Sequence, residues 1–202
     1  MQPFELKDMS SVDLSLLRQA IDTQVSLTEE EWNQLSALIR MQSFGKNELL
    51  LKEGSVCNCL IFILSGAVVY YSLSEKGEEI TTDFALEGSW VTDNRSRLSQ
   101  TPSHLNIKAI EATEAVIIAE SDLNELYRSI PKMEHLGRIL IERAYVRLVQ
   151  LSLDLQILSA EERYLKLLRE YPEAVRRLPL YHIANYLGIA PKSLSRIRGK
   201  LT

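Results

Sequence analysis

The sequence predicts an α+β chain: two amphipathic helices, an antiparallel all-β unit, one long helix, and a C-terminal pair of short helices crossing at a tight turn. Three observations carry this. From about Gly45 to residue 119 the chain is built of short runs rich in Val, Ile, Tyr and Phe, punctuated by glycine, as antiparallel strands with frequent turns require. Beyond Met133 a proline-free stretch spaces its apolar residues alternately four and three apart, the period of a helix. The charge is also divided: residues 175–202 carry six of the 23 basic residues and no acidic one, which leaves 17 basic against all 27 acidic residues in the rest. A small cationic module on an acidic body is implied.

The elements follow in order. Residues 12–23 (VDLSLLRQAIDT) and 29–41 (EEEWNQLSALIRM) are spaced as amphipathic helices, and Thr28 with Glu31 makes the capping-box pairing at the start of the second. Strands are predicted near 47–52, 60–64, 67–73, 79–84, 105–111 and 115–119, and the polar, aperiodic VTDNRSRLSQTPS (91–103) reads as a loop. Along the long helix, Gly137, Ile141, Ala144, Leu148, Leu151, Leu155 and Leu158 form an a/d seam. A helix of roughly 25 residues extends ~38 Å, further than a small β unit covers. The seam therefore predicts a homodimer, the alternative being a helix packed on its own domain. SAEERYLKLLREYP (159–172) opens on a Ser N-cap with acids in its first turn and closes on Pro172. Domain boundaries are placed at 1–132 (β domain with the N-terminal helices, read as effector-sensing), 133–158 (dimerisation helix) and 159–202 (helix-turn-helix domain).

Composition removes several classes. An apolar fraction of 46% is that of a folded protein rather than a disordered one. The longest apolar run, CLIFILSGAVVYY, is broken by Ser and Gly and is too short to span a bilayer. MQPFELKDMSS lacks the features of a secretory signal, so a cytoplasmic protein without a membrane partner is expected. Cys57 and Cys59 read as reduced and structural; His104, His135 and His182 are scattered, so no metal site or iron–sulfur cluster is expected. The carboxylate pairs Glu78–Glu79 and Glu161–Glu162 sit at a turn and a helix start, and no nucleophile–base spacing suggests an enzyme.

The stretch LYHIANYLGIAPKSLSRIRG (180–199) meets the steric template of a helix-turn-helix. Ala184 is small at the crossing and Gly188 tolerates positive φ at the turn. Ile183, Leu187, Leu194 and Ile197 supply the apolar contacts, and Pro191 presets the start of the second helix. Lys192, Ser193, Ser195 and Arg196 then point outward, as donors for base edges must. Arg198, Lys200, Arg176 and Arg177 are assigned to phosphate, with His182 and Tyr181 as helpers. The competing reading is a structural hairpin with a solvated basic face. Ala190 occupies the expected N-cap, where a hydroxyl or amide adds about 1 kcal/mol.

This order of elements resembles the Crp/Fnr superfamily of bacterial transcription regulators, of the type found in Bacteroidetes-like bacteria. EGSVCNCLIFILSGAVVYY is similar to the early part of a cyclic-nucleotide-binding-like β-roll, and IANYLGIAPKSLSRIR to the DNA-reading unit. The resemblance implies a double-stranded β-helix with flanking helices, a winged-helix-like helix-turn-helix domain, and a homodimer on palindromic double-stranded DNA with RNA polymerase as a further partner. The Gly-Glu and Arg-Ser pairs of cyclic-nucleotide binders are matched here by Ala85-Leu86 and Ser103-His104. A charged nucleotide would be poorly paired there, so no cofactor and no tight cAMP binding are expected. Arg95 and Arg97, with Ser103 and His104, are candidates for a substitute anion site, and a solvated loop is the alternative. The leading reading is a sequence-specific DNA-binding regulator with an unknown effector. A small-molecule receptor acting through protein partners, with a vestigial DNA module, is the second.

Overall fold

The computed structural model describes residues 13–201; Val12 and the N-terminal stretch read above for a signal lie outside the described residues. The two N-terminal helices are α1 (Ser15–Asp22) and α2 (Glu29–Leu38), the second opened by the Thr28–Glu31 capping box. The chain turns extended at Ile39, so α2 ends before residue 41. The strands are β1 (Arg40–Phe44), β2 (Leu49–Leu51), β3 (Cys59–Ser65), β4 (Val68–Leu73), β5 (Glu79–Ala85), β6 (Trp90–Val91), β7 (Asn106–Ala109) and β8 (Thr113–Ala119). They form two antiparallel sheets of order β1-β8-β3-β6 and β2-β7-β4-β5. The helices are α3 (Asn94–Ser99), α4 (Glu120–Ser129), α5 (Pro131–Ile157), α6 (Ala160–Glu170), α7 (Pro172–Arg177), α8 (Leu180–Tyr186) and α9 (Pro191–Leu201).

Side-chain alternation explains why the strand runs are apolar throughout rather than at every second position. Ile61, Ile63, Val68, Ile107, Ala109 and Ile117 point between the sheets. Their neighbours Leu60, Phe62, Val116 and Ile118 point outward from the first sheet and are covered by α1, α2, α4 and the start of α5. Ala67, Val69, Tyr71 and Phe84 point outward from the second sheet and are covered by side chains of α6 to α9. The strands β3 and β8 and the first half of β4 are thus buried on both faces, which an alternating polar pattern would not permit.

Four helices escaped the sequence reading or changed it. The stretch 91–103 is not wholly loop: Asp93 caps α3 by accepting from Ser96 N, and the buried residues of that helix are Ser96 and Arg97, so no apolar period announces it. The cap position of α4 is Ala119, which offers no side-chain bond. The long helix starts at Pro131 rather than Met133. Pro172 closes α6 and also opens α7, its fixed φ suiting a first helical position. The Ser159 N-cap is present as a full capping box with Glu162. Within 159–201 the described elements are the helices α6 to α9.

The turn between β3 and β4 depends on Gly66, at φ +101°, where a Cβ would lie 2.4 Å from Thr113 Oγ1 and 2.7 Å from the Ala112 carbonyl. Gly77 also has positive φ but has nothing within 4 Å. Gly66→Ala is expected to destabilise the protein by clearly more than about 1 kcal/mol, and Gly77→Ala by about that much or less. Urea titration measures this as a lower midpoint at unchanged slope.

Candidate nucleic-acid interface

The C-terminal helix pair is built as its residue types require. The α8 helix ends at Tyr186 with Leu187 as its C-cap, and Gly188 follows at φ +66°. The turn is closed by Gly188 N donating to Asn185 O and Ile189 N donating to Ala184 O. The Ala190 carbonyl accepts from Leu194 N at 3.2 Å, so the backbone starts α9 there although the side chain offers no cap. Ile183, Ala184, Leu187, Leu194 and Ile197 are all buried, packed with Tyr164, Leu167 and Val175. Opposite them, Lys192, Ser193, Ser195, Arg196, Arg198 and Lys200 are exposed. Lys192, Arg196 and Lys200 follow one another at four-residue intervals and share a face. The acid-free stretch from Ala174 onward leaves that face with cations and hydroxyls only.

Two residues assigned to DNA from sequence are placed elsewhere. Arg177 lies between Glu87 and Glu111, donating to Glu87 at 2.7 and 2.8 Å and also to Glu111, and these two carboxylates raise its pKa further. Its charge is compensated by the β domain. His182 is buried at 1% exposure, with its Nδ1 2.6 Å from Thr81 Oγ1 on β5. Burial, and then the Lys108 cation, push its pKa down to about 4, so the ring is neutral and faces protein rather than phosphate. Arg176 is exposed and paired with Glu173, and Tyr181 is exposed and stacked on His182 at 3.9 Å.

The anion-site candidates are internally committed. Arg97 is buried, with Nη1 2.9 Å from Glu120 and Nη2 3.3 Å from Asn94 Oδ1. Arg95 donates to the Pro102 carbonyl, and Ser103 donates to Asp93 at 2.8 Å. His104 is exposed. Ala85 is buried in β5. Cys57 and Cys59 are buried free thiols in mutual contact, Cys59 lowering the Cys57 pKa to about 6 while its own rises. No cluster of three or more metal-ligating side chains occurs among the described residues.

The fully buried residues of the long helix, Met133 and Leu136, lie at its start, and further along Arg147 and Asp154 pair with Asp83 and Lys166. Gly137 faces Tyr127 of α4 so closely that a Cβ would lie 2.6 Å from its hydroxyl, which takes it out of the proposed seam. Ile141, Ala144, Leu148 and Leu155 are exposed, whereas Leu151 and Leu158 are half-buried. Leu151 lines a groove of about 510 Å³ between α5 and α6, in which Lys166 pairs with Asp154. The seam reading also missed Tyr145 and Val146, 67% and 65% exposed, and Val149, Leu153 and Ile157. Their mixed three- and four-residue steps widen the apolar face beyond one a/d line.

Residues 41–129 match the model of the cyclic nucleotide-binding domain. The chain is 30% identical over 188 residues to the anaerobic regulatory protein of Pasteurella multocida, covering 87% of this chain and 68% of the relative. It is 27% identical over 185 residues to the transcriptional activator protein Anr of Pseudomonas aeruginosa, covering 86% and 75%. In fold it is similar to FixK2 of Bradyrhizobium japonicum (TM-score 0.69, 21% identity, 81% and 84% of the two chains). It is also similar to the regulator CLP of Xanthomonas campestris (TM-score 0.67, 16% identity, 86% and 91%). No described helix is long and apolar enough to cross a membrane.

The displaced His182 titration has a measurable consequence. Unfolded, the ring titrates near 6.5; folded, near 4. The unfolded chain alone binds this proton between those values, so the contribution is complete above pH 6.5 and is lost as pH falls toward 4. Urea midpoints of the wild type should fall across that window more steeply than those of His182→Gln.

Proposed function

Because the chain belongs to the Crp/Fnr family of transcriptional regulators, we propose that it binds a two-fold symmetric operator as a homodimer, with α9 entering the major groove. The single observation that supports this best is the exposed, acid-free row Lys192, Ser193, Ser195 and Arg196 on a helix that buries Leu194 and Ile197 on its other side. Arg196 carries the bidentate geometry that suits a guanine edge, while Lys192, Lys200 and Arg198 supply phosphate contacts. Two copies joined along α5 through Ile141, Tyr145, Leu148 and Val149 would place their reading helices about one helical turn, roughly 34 Å, apart. RNA polymerase is the further partner such a regulator meets, in the cytoplasm.

The effector of this regulator is not cAMP in this proposal. The guanidiniums near α3 already bond Glu120, Asn94 and the Pro102 carbonyl, with only the Nε of Arg97 buried and unpaired, and Asp93 accepts from Ser96 and Ser103. A cyclic phosphate entering there would displace internal bonds without a free cation to replace them. Signal transfer is a population shift in the orientation of the reading helices.

Selection of bound fragments from genomic DNA, followed by fluorescence anisotropy, tests the reading. Arg196→Ala should weaken the selected site by about 1–3 kcal/mol, a loss of roughly tenfold to a hundredfold, and relax preference at one base pair. Lys200→Ala should weaken all duplexes alike and lower the salt slope by about 1. Affinity indifferent to both substitutions and to salt refutes α9 as the reading helix. Leu148→Glu should shift the protein from dimer to monomer in analytical ultracentrifugation and weaken operator binding with it, because a charge would be buried in the apolar face.

A further inference from the structure

The outer face of the second sheet does more than bury apolar surface, because its edge strand β5 holds the first helix of the helix-turn-helix. Thr81 Oγ1 and His182 Nδ1 are 2.6 Å apart, and both residues are buried. Asn185 Nδ2 donates to the Glu79 carbonyl at 2.8 Å. Phe84 meets Tyr171 and Tyr186 edge-on at 5.4 and 5.0 Å. Arg147 of α5 lies over Phe84 and Tyr171 and donates to Asp83 at 2.6 Å. One strand therefore ties together the long helix and α8. None of these contacts uses the outward row of α9, which stays exposed. A grip on the first helix that leaves the second open fixes orientation without covering the reading face.

We infer that Thr81, His182 and Asn185 are positioning residues for DNA readout: by holding α8 on β5 they set the angle and separation of α9 relative to α5, and hence to its twin across the dimer axis, without touching DNA. This rests on the operator-binding reading above and deepens it. Two half-sites on a stiff duplex accept one separation and one phase. Reading helices held rigidly at that separation bind it without an ordering cost at the moment of association, whereas loosely tethered ones accept many spacings weakly. The β5–α8 contact is thus a determinant of spacing selectivity, and a short route from the β domain to the reading helix that bypasses the length of α5.

The test uses the operator selected by the full-length wild type, remade with its half-sites shifted by half a helical turn, about 5 base pairs. Protein carrying Thr81→Cys and His182→Cys is compared reduced and after bridging with a reductant-cleavable bis-methanethiosulfonate reagent. The wild type should strongly prefer the original spacing. The reduced double variant should bind it at least about tenfold more weakly and discriminate little between spacings, with an unchanged salt slope because phosphate contacts are untouched. Bridging should restore both affinity and discrimination, and Thr81→Ser, which keeps the hydroxyl, should behave as wild type. Wild-type spacing preference in the reduced variant overturns the inference. So does bridged protein that binds more weakly than reduced, which would make the contact an obstruction. A selection that yields no motif overturns the DNA-binding reading itself, and the positioning role with it.

Discussion

Two antiparallel sheets whose central strands β3, β4 and β8 are apolar on both faces cannot stand in water as a bare sandwich, so each outer face must be covered. The first sheet is covered by α1, α2, α4 and the start of α5, with Phe62 packed edge-on against Trp90 at 4.9 Å. The second is covered by the C-terminal helices, so that Val69, Tyr71, Phe84 and Ile110 share one core with Tyr164, Leu178, Ile183 and Leu194. Everything else in the molecule depends on that second covering. It makes the helix-turn-helix an integral layer of the β domain instead of an appendage on a tether. At about 25 cal/mol per Å² of apolar area, burial on this scale outweighs any single polar contact at the same junction.

Polar groups at the junction act as selectors of geometry. A buried neutral His182 facing Thr81, an Asn185 bond to a strand carbonyl and the Arg177 bridge to Glu87 and Glu111 each demand one relative placement of helix and sheet. Removing one partner would leave a desolvated group unsatisfied, which costs more than the bond contributes net. The charge division serves both ends of this arrangement. Acids of the β domain neutralise the inward-facing Arg177, whereas the exposed basic residues of α9 have no acid in their own helix. The long helix, by contrast, has a wide apolar face from Ile141 to Ile157 with little of its own chain upon it.

Much of this was legible in the sequence because it is local. Thr28 with Glu31 and Ser159 with Glu162 announce helix starts three residues ahead, Gly188 marks the turn that needs positive φ, and the spacing of Ile183, Leu187, Leu194 and Ile197 specifies the inner side of the helix pair. The elements that escaped lack such local signals. In α3 the buried residues are a serine and an arginine, in α4 the cap is an alanine, and in β1 the chain leaves an amphipathic helix without a breaker.

What the sequence determined by itself is therefore the inventory: two-sided strands, a long apolar-faced helix, and a cationic helix pair with Lys192, Ser193, Ser195 and Arg196 on its outer side. Only the tertiary structure decided which cations remain available. Arg177 finds Glu111 across 66 residues of chain and His182 finds Thr81 across 101. The partner that neutralises a charge or desolvates a ring is set by distance in space. Sequence spacing encodes such distance within one helix or one turn, but carries no measure of it between a strand and a helix that meet only when both sheets have been covered.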